Sequence, residues 1–168
     1  VTTVRIRFSK TGKVRFTSHR DVARIWERTL RRAQVEVAYS EGFSPRPRLH
    51  FGLALSTSYE SLGEYLDVDL ADGFEVDVAS LPARLTPVLP LGIEVQTAAV
   101  REPGSESLQS LVTSCSWWVE VADVSLSQLS DAVDRALAAD EIVVTRQRKG
   151  RDVTDDLRPY VIGLRAAG

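Results

Sequence analysis

Apolar and charged residues alternate near the start of the chain, with Val4, Ile6 and Phe8 set against Arg5 and Arg7. A period of two predicts a half-buried strand. Thr11-Gly12-Lys13 turns the chain, and Val14 to Phe16 are expected to continue the strand. From Ser18 the period changes to that of a helix. Val22, Ile25, Trp26, Thr29, Leu30 and Ala33 fall on one face of a helix ending at about Ala33. Ser18 is its expected N-cap, with Asp21 at the third helical position as a capping-box-like partner. Arg20, Arg24, Arg28, Arg31 and Arg32 occupy the opposite face.

Val35 to Tyr39 reads as a second strand, Ser40 to Arg48 as a loop, and Leu49 to Leu55 as a third strand. Gly52 inside it marks a bulge or a close backbone contact. Glu64 to Leu70 alternates Tyr65, Asp67 and Asp69 against Leu66, Val68 and Leu70, a strand with one wet face. Ala71-Asp72-Gly73 breaks it. A short helix is expected over Val76 to Leu85, with Pro82 near a bend or helix start, and a strand over Gly92 to Val100. Arg101 to Ser110 is linker-like and sets the expected domain boundary. Beyond it come a strand over Val112 to Val121 containing Trp117-Trp118, and a helix capped by Ser125 or Ser127 and ending at about Ala139. Ile142 to Arg146 and Leu157 to Leu164 read as a hairpin around the polar segment Gln147 to Asp156. This order predicts an α+β protein of two ferredoxin-like (βαββαβ-type) units. The first covers residues 1–102. The second covers residues 110–168 and is incomplete, stopping before its last helix and strand.

With 168 residues, 43% of them hydrophobic, the chain can bury a real core. Its one cysteine, Cys115, excludes a disulfide framework and a cysteine zinc site, and fits a reducing cytoplasm. No stretch reaches the roughly 20 apolar residues that span a bilayer, and no signal segment opens the chain. The chain begins at Val1 and contains no Met, so its native start is expected upstream. With only His19 and His50, a histidine-rich metal cluster is excluded. No cofactor and no metal are predicted. Glu60, Glu64, Asp67 and Asp69 read as a solvated strand face before they read as metal ligands.

Charge changes the picture. The net of −2 hides three blocks: +8 over residues 1–50, −13 over 51–142 and +3 over 143–168. A basic surface attracts polyanions whatever the total. On the helix, Arg20, Arg24, Arg28 and Arg32 recur every four residues. Like charges so placed cost about 0.2–0.5 kcal/mol per pair, and guanidinium groups in a row suit phosphate oxygens. Two readings stay open: a polyanion grip, or a solvated face paired with the acidic middle of the chain.

The segment Tyr39-Ser40-Glu41-Gly42-Phe43-Ser44-Pro45-Arg46-Pro47-Arg48 is a second candidate. Its prolines and Gly42 favour a held, sharply turned shape. Tyr39 and Phe43 beside Arg46 and Arg48 match the aromatic–arginine mixture that recognises single-stranded RNA. The alternative is a crossover whose Phe43 plugs the core. Arg146-Gln147-Arg148-Lys149-Gly150-Arg151 reads as a basic hairpin tip, where Arg146, Arg148, Lys149 and Arg151 meet a nucleic-acid backbone or solvent. His19 and His50 are candidates for metal-independent phosphodiester cleavage by acid–base catalysis, although local hydrogen bonding explains His19 as well. A phosphate-binding glycine loop, a three-cysteine cluster and a Ser/His/Asp arrangement are absent.

Three segments resemble a bacterial domain family of unknown function that is linked to radical-SAM proteins, in its stand-alone actinobacterial type. They are Phe16-Thr17-Ser18-His19-Arg20-Asp21, then Ala38 to Pro47 with Phe51-Gly52, then Gly63-Glu64-Tyr65-Leu66-Asp67. The basic helix and Asp156-Leu157-Arg158-Pro159 are similar too, so the resemblance covers most of the chain. Its most specific part is the run Tyr-Ser-x-Gly-Phe-x-Pro-x-Pro. The family often has Leu where Arg20 stands and His where Arg46 stands. The resemblance implies an accessory domain tied to RNA or ribosome metabolism, beside a radical-SAM enzyme or a ribonuclease. It implies no catalytic residues, and without three cysteines the chain cannot hold a radical-SAM cluster itself.

Three functions follow as expectations. The first is a cytoplasmic, non-catalytic RNA-binding accessory protein. The second is a docking module for a radical-SAM enzyme, a ribonuclease or the ribosome, with the acidic middle strand as its contact face. The third is an endoribonuclease using His19 and His50. None involves a membrane.

Overall fold

The alternation at the start of the chain becomes β1, Thr3–Lys10, one of the two central strands of a four-stranded antiparallel sheet. A computed structural model describes residues 1–168. After β1 come α1 (His19–Arg32), β2 (Leu49–Phe51), β3 (Ser61–Asp69), α2 (Leu81–Leu85) and β4 (Ile93–Val100). The strand order β2-β3-β1-β4 is that of a ferredoxin-like unit. In register, Val4 faces Val68 and Ile6 faces Leu66. One face of the sheet thus gathers Val4, Ile6, Phe8, Leu66, Val68 and Ile93 into a core with Val22, Trp26 and Leu30 of α1 and Leu81 and Leu85 of α2. Each such side chain contributes about 1.5–3 kcal/mol on full burial. Phe8 and Trp26 meet edge to face with centroids 4.9 Å apart.

The period-3.6 segment forms α1 as expected. The Ser18 hydroxyl accepts from the Asp21 N–H at 3.2 Å and caps its first turn. Pro82 lies at the start of α2, where its missing N–H costs nothing. Elsewhere the expectations need correction. Val14 to Phe16 lie in a 3-10 turn over Gly12–Phe16 and do not extend β1. Val35 to Tyr39 make only two isolated bridges, Val37 to Leu70 and Tyr39 to Pro47. The third strand stops at Phe51, well before Leu55. Gly92, at φ +99°, lies so close to the Thr11 carbonyl that a Cβ there would fall 2.2 Å from it. The Thr11 N–H donates to the Gly92 carbonyl at 2.8 Å, tying β1 to the start of β4.

The stretch read as a linker contains α3, Leu108–Leu111, whose Leu108 is buried. Contacts divide the chain into residues 1–115 and 116–168. The second unit contains α4 (Leu126–Ala138), β5 (Val143–Arg148) and β6 (Arg151–Asp156). Ser125 caps α4, with Gln128 completing a reciprocal capping box. Lys149 at φ 52° and Gly150 at φ 74° make the tight left-handed turn that suits a two-residue hairpin. That turn overrides the apolar pattern: β5 pairs with the polar residues 151–156 and not with Leu157 to Leu164. Val112 to Val121 join no sheet, so the strand expected there is absent. None of residues 116–168 is fully buried.

Candidate functional site

Charge pairing separates the cations that stabilise the sheet from those left over. On the sheet face opposite α1 and α2, Arg5 holds Asp67 through Nε–Oδ1 at 2.8 Å and Nη2–Oδ2 at 2.9 Å. Arg101 approaches Asp67 at 3.9 Å. Asp69 receives Arg48 at 3.0 Å and the Thr3 hydroxyl at 2.7 Å. Asp67 and Asp69 are only 2% and 5% exposed. The wet face expected for this strand is therefore a buried ion-pair ladder. Arg48, expected to face RNA, is already engaged in it.

The arginine face of α1 is arranged differently. Arg20, Arg24, Arg28, Arg31 and Arg32 are all exposed. Arg24 pairs with Asp21 at 3.3 Å, one turn away on the same helix. The side chains of Arg20, Arg28, Arg31 and Arg32 enter no ion pair or hydrogen bond, so the acidic middle of the chain does not neutralise this row. The Ser18 hydroxyl, reinforced by Arg24 and Arg20, holds the Asp21 carboxyl below the usual carboxylate range.

The Pro/Gly/Arg loop is closed at its neck and open at its tip. Arg48 N–H donates to Ala38 C=O at 2.9 Å, and Ser40 N–H to Arg46 C=O at 2.9 Å. Arg46 N–H donates back to Ser40 Oγ at 3.0 Å. Gly42 turns the tip at φ +118°. Phe43 projects fully into solvent, which removes the reading that it plugs the core, and Tyr39 is also exposed. The Arg46 side chain is exposed and makes no ion pair. In the second unit, Arg146 pairs with Asp155 at 2.9 Å. Arg148, Lys149 and Arg151 surround the hairpin turn, exposed and without an ion pair.

The structure brings His19 and His50 to one cleft of about 440 Å³ at the free edge of β2. The His19 ring meets Phe51 edge to face at 5.0 Å, and His50 Nε2 lies 3.6 Å from Asp69 Oδ2. Arg101 and Ser107 to Gln109 form the far wall. Gln109 Nε2 donates to the Phe51 carbonyl at 2.6 Å. Arg101, Gln109 and Phe51 escaped the reading of the sequence. Two of them lie in a polar stretch that looks like a linker, and nothing local signals their return to the sheet. No group of three or more His, Cys, Asp or Glu residues is placed to hold a metal ion. No helix is long and apolar enough to cross a membrane.

A family model described as an uncharacterized protein conserved in bacteria (DUF2344) matches residues 3–167. No curated protein matches the chain.

Proposed function

We propose that this chain, which belongs to the bacterial family DUF2344, is a non-catalytic RNA-binding accessory protein of the cytoplasm. One observation carries the reading: the side chains of Arg20, Arg28, Arg31 and Arg32 form an exposed row that enters no ion pair, in a chain that pairs Arg5, Arg48 and Arg101 with buried acids. An unpaired row costs the free helix some repulsion, which phosphate relieves. Guanidinium groups grip phosphate oxygens bidentately and release counterions as they do so. Tyr39, Phe43 and Arg46 offer rings and a planar cation to unstacked bases. In the second unit, Arg148, Lys149 and Arg151 offer phosphate contacts of their own, and Arg24 joins the α1 row when phosphate competes with Asp21. Arg48 and Arg146 support the surface through their acidic partners.

RNA or ribosome metabolism, beside a radical-SAM enzyme or a ribonuclease in a stand-alone actinobacterial arrangement, is the setting proposed for this activity. The test is binding of the purified chain to total cellular RNA across a salt series. Affinity that falls steeply with salt supports the reading, and salt-insensitive or absent binding removes it. A second reading, metal-independent RNA cleavage, is favoured by the shared cleft of His19 and His50. Cleavage unchanged in a His19→Ala/His50→Ala variant removes that one.

A further inference from the structure

The cleft at the free edge of β2 has main-chain groups to offer as well as side chains. His50 lies opposite Asp67 in the β2–β3 register. Asp69 N–H donates to Arg48 C=O and Gly52 N–H to Tyr65 C=O, so the Arg48 carbonyl, the Gly52 N–H and the His50 backbone between them turn toward β3. The alternate residues turn theirs outward. Leu49 C=O and Phe51 N–H therefore point away from the sheet, on the side that the cleft occupies, and neither finds a hydrogen-bond partner. A carbonyl and the N–H two residues later form an acceptor and a donor side by side. Unpaired backbone groups in a lined recess favour a ligand that satisfies both.

That pair matches a base edge carrying an exocyclic amino group beside a ring nitrogen acceptor. The surrounding surfaces fit the rest of such a ligand. Phe51 with His19, and Leu108 opposite, supply aromatic and apolar walls for a ring. His50 and Ser107 supply polar groups for a ribose or phosphate. The volume of about 440 Å³ falls within the roughly 300–1,000 Å³ typical of small-ligand sites. An added peptide strand fits less well, because β2 has three residues and Gln109 already occupies the Phe51 carbonyl.

We infer that this cleft takes one unstacked adenine of a bound RNA, its amino group donating to Leu49 C=O and its N1 accepting from Phe51 N–H. The inference rests on the RNA-binding reading for the source of the base. It is tested by following the Phe51 amide and the His19 ring signals in NMR titrations of the full chain. The ligands are adenosine 5′-monophosphate, its N6,N6-dimethyl analogue and ribose 5-phosphate. Adenosine monophosphate is expected to shift both signals. The dimethyl analogue, which has lost its donor, is expected to bind about tenfold more weakly or worse. Ribose 5-phosphate is expected to leave the Phe51 amide in place. A Phe51 amide unmoved by adenosine monophosphate, or moved equally by ribose 5-phosphate, overturns the inference. Salt-sensitive RNA binding with an unmoved Phe51 amide sinks the base pocket alone. A shifted amide without RNA binding keeps the pocket, as a site for a free nucleotide, and sinks the RNA reading.

Discussion

Arg5 and Asp67 are joined by two hydrogen bonds across the β1–β3 ladder, at 2.8 and 2.9 Å, with Asp67 almost wholly buried. Asp67 in turn holds the Arg5 guanidinium above its ordinary pKa. This pair shows where part of the charge asymmetry goes: an acid of the middle segment meets a cation of the basic start inside the fold. Removing one partner of a buried pair costs about 3–5 kcal/mol when the other is left uncompensated. Arg5→Met leaves Asp67 only the Arg101 guanidinium at 3.9 Å and is expected to destabilise the chain in urea unfolding by up to about that much. Arg5→Met combined with Asp67→Leu is expected to recover much of the loss, since the stranded charge is gone.

The N-cap of α1 gives a second prediction. Ser18→Ala removes the acceptor for the Asp21 N–H and is expected to cost about 0.5–2 kcal/mol. The Ser18 hydroxyl also lowers the Asp21 pKa. A carboxyl held below its unfolded value stabilises the fold above that value and loses the effect as pH falls through the folded one. The stability difference between the wild type and Asp21→Asn should therefore be constant near neutrality. It should shrink as pH drops below about 4, the ordinary carboxylate value.

At Gly92 the backbone is left-handed and the Thr11 carbonyl occupies the space of a side chain. Gly92→Ala must strain the backbone or push β1 away from β4. The expected loss is on the order of 1–3 kcal/mol or more, read as a lowered denaturation midpoint with an unchanged slope.

Phe43 touches nothing that stabilises the fold, being fully exposed at the loop tip. Phe43→Ala is expected to leave the unfolding midpoint unchanged. It should weaken binding to single-stranded RNA by about 1–3 kcal/mol, the usual worth of one base–aromatic stack. Equal RNA affinity in the two proteins would remove the loop from the interface.

Some of this architecture was legible in the sequence because its cause is local. The α1 stripe, its Ser18 cap and the β1 alternation each depend on residues a few positions apart. The errors come from interactions that a linear pattern does not contain. Asp67 and Asp69 look solvated until Arg5 and Arg48, distant in sequence, arrive beside them. Val112 to Val121 has the composition of a strand, but no neighbouring strand offers it a ladder. The apolar pattern points to the wrong β5 partner because turn geometry outranks hydrophobicity in setting a hairpin register. The cleft was invisible for the same reason as the acid ladder. His19 begins a helix and His50 sits on an edge strand, and only the packing of α1 against the sheet brings them to one recess.

The central claim is that the unpaired face of α1 holds an RNA backbone. The most direct measurement compares the wild type with an Arg24→Ala/Arg28→Ala/Arg32→Ala variant of equal stability, binding total cellular RNA over a salt series. The wild type is expected to bind and to weaken with salt. The variant is expected to lose most of its affinity, with a slope of log affinity against log salt that falls by roughly 0.7 for each phosphate contact removed. Equal affinity and equal slope in the two proteins, or no binding by either, would contradict it.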